Sequence, residues 1–140
     1  MSVTIEYSRR ASNTDAFVIL AEAWNEMVQE GITPDYLGAP PIRPDTEVLY
    51  ATSKDGDIVG VLAWRHDPTQ EAYVVSIGYV EPSSRKQGVF RQLYEALKQR
   101  AYRNGVPKIV SEVYVRGPGA EVFRRLGATQ VSITYEHRVS

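Results

Sequence analysis

The 140-residue sequence contains no cysteine. That excludes a disulfide framework, a thiolate metal site and a cysteine nucleophile. Histidine is nearly as scarce, with only His66 and His137, so a zinc cluster is not expected and no metal is assigned. Long apolar runs are missing as well. The longest, Ala16–Ala21 and Ile58–Trp64, fall far short of the ~20 residues that span a bilayer, and Met1–Glu6 lacks the charged-then-apolar order of a signal peptide. No membrane partner is expected, and a reducing, cytoplasmic setting fits. Neither GxxxxGK[ST] nor GxGxxG occurs, which excludes the two commonest nucleotide loops. Basic residues are not accompanied by an aromatic RNA motif or helix-turn-helix spacing, so no nucleic-acid partner is expected.

What is present is an ordinary globular composition, 43% apolar and 24% charged, with a net charge of −1. The near-neutral total hides an asymmetry. Residues 1–70 hold 5 Lys/Arg against 11 Asp/Glu, whereas residues 71–140 hold 11 against 6. The two halves are expected to face ligands of opposite sign, unless the charges are simply solvated surface.

Val3–Tyr7 alternates as a short strand. Ser12 to Asp15 offers a capping box before Phe17, Leu20, Ala21, Trp24 and Val28, the stripe of an amphipathic helix stopped at Gly31. Four prolines between Thr33 and Pro44 predict an ordered surface loop. Val48–Ser53 and Ile58–Arg65 flank Asp55-Gly56, a hairpin signal, and Ala72–Val80 reads as a third strand of this run. Phe90, Leu93, Tyr94, Leu97 and Ala101 mark a second helix ending at Asn104-Gly105. A strand at Lys108–Val115, a short helix from Pro118 to Gly127 and a strand at Gln130–Arg138 complete the order β-α-β-β-β-α-β-α-β. The prediction is one α+β domain over residues 1–140, a mixed, mostly antiparallel central sheet flanked by helices. Val131–Val139 is a candidate sheet edge for pairing in a homodimer.

Val80-Glu81-Pro82-Ser83-Ser84-Arg85-Lys86-Gln87-Gly88-Val89-Phe90 runs from a strand through a polar turn into a helix. Such a junction presents unpaired helix N–H groups and the positive end of a dipole, an anion site in waiting. Gly88 allows close approach to the backbone.

Val80-x-Pro82-x-x-Arg85-x-x-Gly88-Val89 resembles motif A of the GNAT superfamily of N-acetyltransferases, written Q/R-x-x-G-x-G/A. The element order and Phe123-x-x-x-Gly127 extend the resemblance across essentially the whole chain. It implies a GNAT-type fold and an acetyl group moved from acetyl-CoA, as cosubstrate, to a small-molecule or peptide amine by direct attack on the thioester. It further implies that the backbone from Lys86 through Gln87, Gly88, Val89 and Phe90 binds the pyrophosphate, with Arg85 and Arg91 at the same loop. Gly78, Tyr79 and Val80 would hydrogen-bond the pantetheine through their backbone.

On the acceptor side an alkylammonium of pKa ~10.4 must lose its proton, at a cost of roughly 4–5 kcal/mol at pH 7, so a base is useful. Glu112 in the strand after the cofactor helix is the first candidate, with Tyr114 on the same face; otherwise Glu112 faces solvent or pairs with an arginine. Tyr36 in the proline-rich loop and His66 at a strand end are candidates to line the acceptor pocket. Glu22, Glu26, Glu30, Asp35 and Asp45 would give that region negative potential.

The sequence departs from the family pattern at three positions. Phe90 stands where motif A has Gly or Ala and reads as a core residue of its helix. Arg116 occupies a slot that is often asparagine. Phe123 occupies the slot of the tyrosine generally assigned to protonating the departing sulfur. Losing that acid costs on the order of 10²–10⁴-fold, unless water, Tyr114 or Tyr94 substitutes. The alternative is a non-catalytic GNAT-fold module that binds CoA or a protein partner.

Overall fold

The computed structural model of the chain describes residues 2–10, 14–29, 44–111 and 124–129. The elements are β1 (Thr4–Ser8), α1 (Thr14–Gln29), β2 (Glu47–Thr52), β3 (Ile58–Asp67), β4 (Ala72–Val80), a 3-10 turn at Pro82–Ser84, α2 (Val89–Arg103) and β5 (Lys108–Ser111). They form a mixed α+β architecture with one sheet in the order β1-β2-β3-β4-β5. The first four strands are antiparallel neighbours and β5 runs parallel to β4. A parallel pair needs a crossover, and α2 supplies it. The expected strand at Gln130–Arg138 and most of the helix before Gly127 lie outside the described residues. Gly127 itself takes a φ of 87° and donates its N–H to the Arg124 carbonyl, as a helix stop does.

Asp55-Gly56 turns β2 into β3 as the sequence predicts. Gly56 has a φ of 88°, and the Gly56 N–H donates to the Ser53 carbonyl at 3.0 Å. The helices cover opposite faces of the sheet. Ala16, Leu20 and Ala23 of α1 bury against Val48, Val61, Ala63 and Ile77. Val89, Leu93, Tyr94, Leu97 and Ala101 of α2 bury against Leu49, Leu62, Trp64, Tyr73 and Val75. Leu93 and Leu97 are fully buried, each contributing roughly 1.5–3 kcal/mol.

The face of α1 differs from the expected stripe. Leu20 and Trp24 are buried, but Phe17 is 44% exposed, and Ala16 and Ala23 take the seam instead. Small residues let the helix backbone approach the sheet, which moves the bulky Phe17 to the flank.

Two β-bulges set which residues reach which face. Thr52 pairs with Ile58 but Ala51 with Gly60, leaving Val59 as the extra residue. Ala63 pairs with Ile77 but Trp64 with Val75, leaving Ser76 extra in β4. An extra residue breaks the two-residue alternation. Tyr73 and Val75 therefore face α2, whereas Ile77 and Tyr79 face α1.

Candidate functional site

The β4–α2 junction is built from short-range contacts. The Glu81 N–H donates to the Val59 carbonyl at 2.9 Å, tying the end of β4 to the bulge in β3. Ser83 Oγ and Ser84 Oγ both donate to Glu81 Oε1, at 3.0 and 3.1 Å, and Ser84 is buried. The Arg85 N–H closes the 3-10 turn on the Pro82 carbonyl. Gln87 Nε2 reaches back to the Ser83 carbonyl at 3.3 Å.

Beyond this turn the backbone takes two left-handed residues, Lys86 with a φ of 64° and Gly88 with a φ of 80°. Gly88 is the N-cap of α2, and having no side chain it caps none of the first N–H groups itself. An α-helix leaves its first N–H groups without intrahelical acceptors and carries partial positive charge at that end. A Cβ placed on Gly88 would meet nothing within 4 Å. Among the described residues, therefore, the Cβ direction at Gly88 is open, and the exposed side chains of Lys86 and Arg91 flank this helix end.

Val89 is buried and inserts its side chain beside Gly60 of β3; a Cβ there would stand 3.1 Å from Val89 Cγ1. Phe90 packs against the α2 core cluster, stacks on Tyr94 with ring centroids 6.5 Å apart, and covers Gly78 of β4. The core role expected for Phe90 is what its contacts show. Gly78 is nonetheless exposed, although β4 lies inside the sheet order. Among the described residues the β4–β5 ladder runs only from Ala72↔Lys108 to Val75↔Ser111, whereas β3 follows β4 to Val80. The Gly78–Val80 segment and the first turn of α2 thus adjoin at one end of the described sheet.

On the α1 side of this end, Tyr79 OH donates to Glu26 Oε2 at 2.5 Å, and Arg85 Nη2 pairs with Glu26 Oε1 at 2.7 Å. Arg85 Nε also donates to the Val80 carbonyl at 2.7 Å. Burial, reinforced by the hydrogen bond to Glu26, pushes the Tyr79 phenol up to about 12. Burial also raises the Tyr94 phenol, which sits in the core cluster under Phe90.

Of the residues singled out from the sequence, Gly78, Tyr79, Val80, Arg85, Lys86, Gln87, Gly88, Val89, Phe90 and Arg91 are gathered at this one end. Within that group the Arg85 guanidinium turns to Glu26 and the Val80 carbonyl. His66 is not brought here. It pairs with Tyr73 at the far end of the β3–β4 ladder, roughly 20 Å from Val80 at ~3.3 Å per residue. There it borders a cleft of about 380 Å³ with Glu71 and Asn104, its ring edge-on to Tyr73. Glu112, Tyr114, Tyr36, Arg116 and Phe123 lie outside the described residues.

Of the acidic residues expected near the acceptor, Glu30 and Asp35 lie outside the described residues. Glu22 and Glu26 both act on Tyr79, but Glu47 meets Tyr7, and Asp67 accepts from Gln70. Sequence reasoning missed the Ser76 bulge, the Glu81–Ser84 bracket and the Glu26–Arg85 pair. Only the bracket had a local signal, two serines following a glutamate. Among the described residues no group of three or more His, Asp or Glu converges as a metal site, and no helix is long and apolar enough to cross a membrane.

Residues 14–128 match the family described as Acetyltransferase (GNAT) family. A search of curated proteins finds no match. Among solved structures, a ribosomal-protein-alanine N-acetyltransferase from Brucella melitensis biovar Abortus 2308 aligns with a TM-score of 0.71 at 22% identity, covering 98% of this chain and 99% of the other. An aminoglycoside acetyltransferase from an uncultured soil metagenomic sample aligns at 0.69 and 21% identity over 100% of both chains. AAC(6')-Iy, in complex with the bisubstrate analog CoA-S-monomethyl-acetylneamine, aligns at 0.67 and 19% identity over 99% of both. At these identities the likeness is one of fold.

Proposed function

Since the chain belongs to the GNAT family of acetyltransferases, we propose that it transfers an acetyl group from acetyl-CoA to the amine of a small molecule or peptide. One observation carries the cofactor assignment: the N-terminus of α2, where the N-cap Gly88 has no side chain and an open Cβ direction, adjoins the exposed Gly78. The fit is chemical as well as steric. A pyrophosphate takes hydrogen bonds from the N–H groups of the first turn and is drawn by the helix dipole, with Lys86 and Arg91 adding charge. The backbone of Gly78, Tyr79 and Val80 lies beside that turn, suited to pair with the amide groups of pantetheine.

Acetyl-CoA supplies an activated thioester, so the chain's own work is to hold it, to exclude water and to accept the ammonium proton. Backbone N–H groups near the β4 bulge are suited to steady the carbonyl oxygen as charge develops there. With no cysteine in the chain to carry the acetyl group as a thioester, direct attack by the amine on the acetyl-CoA thioester is the proposed route. Glu112 is the proposed base and Tyr114 its neighbour, with Tyr36 lining the acceptor pocket. His66, paired with Tyr73 three residues from the Ser76 bulge and away from the pyrophosphate turn, stays a candidate for the acceptor side only.

A second reading, a module that binds CoA without turnover, draws on two observations besides Phe123. Tyr94 is buried in the core, and the Tyr79 proton is committed to Glu26. Neither phenol is disposed to protonate a departing thiolate.

Isothermal titration with CoA and acetyl-CoA tests the common part of both readings. Binding is expected in the micromolar range, and no heat at high micromolar ligand would overturn both. A thiol-release assay against polyamines, aminoglycosides and peptide N-termini then separates them: turnover supports the transferase, and saturable binding without turnover supports the module.

A further inference from the structure

By residue type Arg85 is the obvious cation for a pyrophosphate, and it opens the loop. Its guanidinium is committed elsewhere. Nε donates to the Val80 carbonyl and Nη2 to Glu26 Oε1, each at 2.7 Å. Glu26 Oε2 accepts the Tyr79 hydroxyl at 2.5 Å, and the guanidinium carbon lies 5.3 Å from the centroid of the Tyr79 ring. A rigid planar guanidinium holds two acceptors in fixed directions while lying over a ring; a lysine ammonium, a point charge on a flexible stem, does not fix that geometry. The cluster joins three separate parts of the chain: α1, the last residues of β4, and the start of the loop into α2.

The loop needs such support. Residues 80–85 already form a closed ring through the Arg85 Nε bond to Val80, around the weaker Arg85 N–H to Pro82 contact at 3.4 Å. Immediately after it, Lys86 is held at a φ of 64°, a conformation that a side chain with a Cβ adopts only under constraint.

Resting on the CoA reading above, we infer that Glu26, Tyr79 and Arg85 are a positioning clasp: Glu26 fixes Arg85, Arg85 fixes the loop, and CoA affinity depends on a carboxylate in α1. Simple electrostatics makes the opposite prediction. Glu26 is an anion near an anion site and neutralises Arg85, so removing its charge would tighten CoA binding. The clasp requires that removing it weaken binding.

The experiment is calorimetric CoA binding to Glu26→Gln, with hydrogen exchange of the residue 86–91 amides in the ligand-free protein. In E26Q the Kd for CoA is expected to rise roughly tenfold, and the loop amides to exchange faster. R85K should match E26Q, and the double variant should lose little more than either, because both break one connection. Y79F keeps both charges and should shift Kd in the same direction by less. An ion pair that only stabilises the fold would lower Tm without changing the CoA affinity of folded protein. E26Q that binds CoA as tightly as wild type, or more tightly, overturns the clasp, and additive losses in the double variant return Arg85 to direct phosphate contact. If wild type binds no CoA, the functional reading fails by itself, and loop exchange decides the clasp: faster exchange in E26Q supports it, unchanged exchange overturns it.

Discussion

The ring of Phe90 covers Gly78 so closely that a methyl group on the glycine would stand 2.5 Å from Phe90 Cε2. Gly78 lies in β4 and Phe90 in the first turn of α2, so the contact sets how near the helix end approaches the strand. Gly78→Ala is expected to destabilise the protein by about 1–3 kcal/mol, the usual cost of overpacking. In a Phe90→Ala background the same substitution should cost almost nothing. Urea unfolding of the two single variants and the double variant checks this, and additive costs would show that the ring moves aside freely.

Gly88 offers a cleaner backbone test. Its Cβ direction is empty within 4 Å and its φ is 80°, so a substitution meets strain without a clash. Gly88→Ala should cost about 1–2 kcal/mol, and Gly88→Asn less, because asparagine tolerates this region. Both variants should bind CoA more weakly than wild type in calorimetry, since the first-turn amides lose their alignment. Equal stability of the Ala and Asn variants would contradict the strain account.

The Tyr79 phenol, raised from 10.0 to about 12, makes a prediction about alkaline pH. The folded pKa lies above the unfolded one, so this stabilising contribution is complete below pH 10 and is lost as pH climbs from 10 toward about 12. Y79F should therefore show a shallower fall of Tm over that interval than wild type. Its ultraviolet titration should lack one late-ionising tyrosine. Identical Tm slopes would mean that the buried, Glu26-bonded setting of the Tyr79 phenol does not persist in solution.

The elements of this fold were legible wherever a local signal existed. The Asp55-Gly56 hairpin and the Leu93–Leu97 stripe of α2 needed only period and turn chemistry, and Gly88 could be read from its place between strand and helix. The failures share a cause: each depends on where distant segments come to rest. Nothing local announces that Ser76 is unpaired, yet that one residue sends Tyr79 to the α1 face and Gly78 under Phe90. The charge of Arg85 is visible in sequence and places it at the loop, while its partner Glu26 lies 59 positions away and is not. Phe17 has the spacing of a core residue and loses the seam to Ala16 and Ala23, an outcome of how closely helix and sheet approach. Half-chain charge counts suffer the same limit, since Glu26 of the acidic half neutralises Arg85 of the basic half.

With the exposed Arg85 engaged by Glu26, the other exposed cations at the loop are Lys86 and Arg91, and their contribution should be separable from that of the backbone. Exposed charges are screened by salt, over about 10 Å at 0.1 M and about 3 Å at 1 M, whereas N–H groups in direct contact with a ligand are not. K86E and R91E should each weaken CoA several-fold at about 0.05 M salt, with the gap to wild type narrowing at about 0.5 M as the Debye length shortens. The affinity that remains at high salt measures what the helix end contributes alone, and Gly88→Ala should reduce that remainder where K86E does not. Calorimetry at the two salt concentrations reads both quantities. Wild-type affinity for K86E and R91E at low salt would remove their side chains from the site and leave recognition to the backbone.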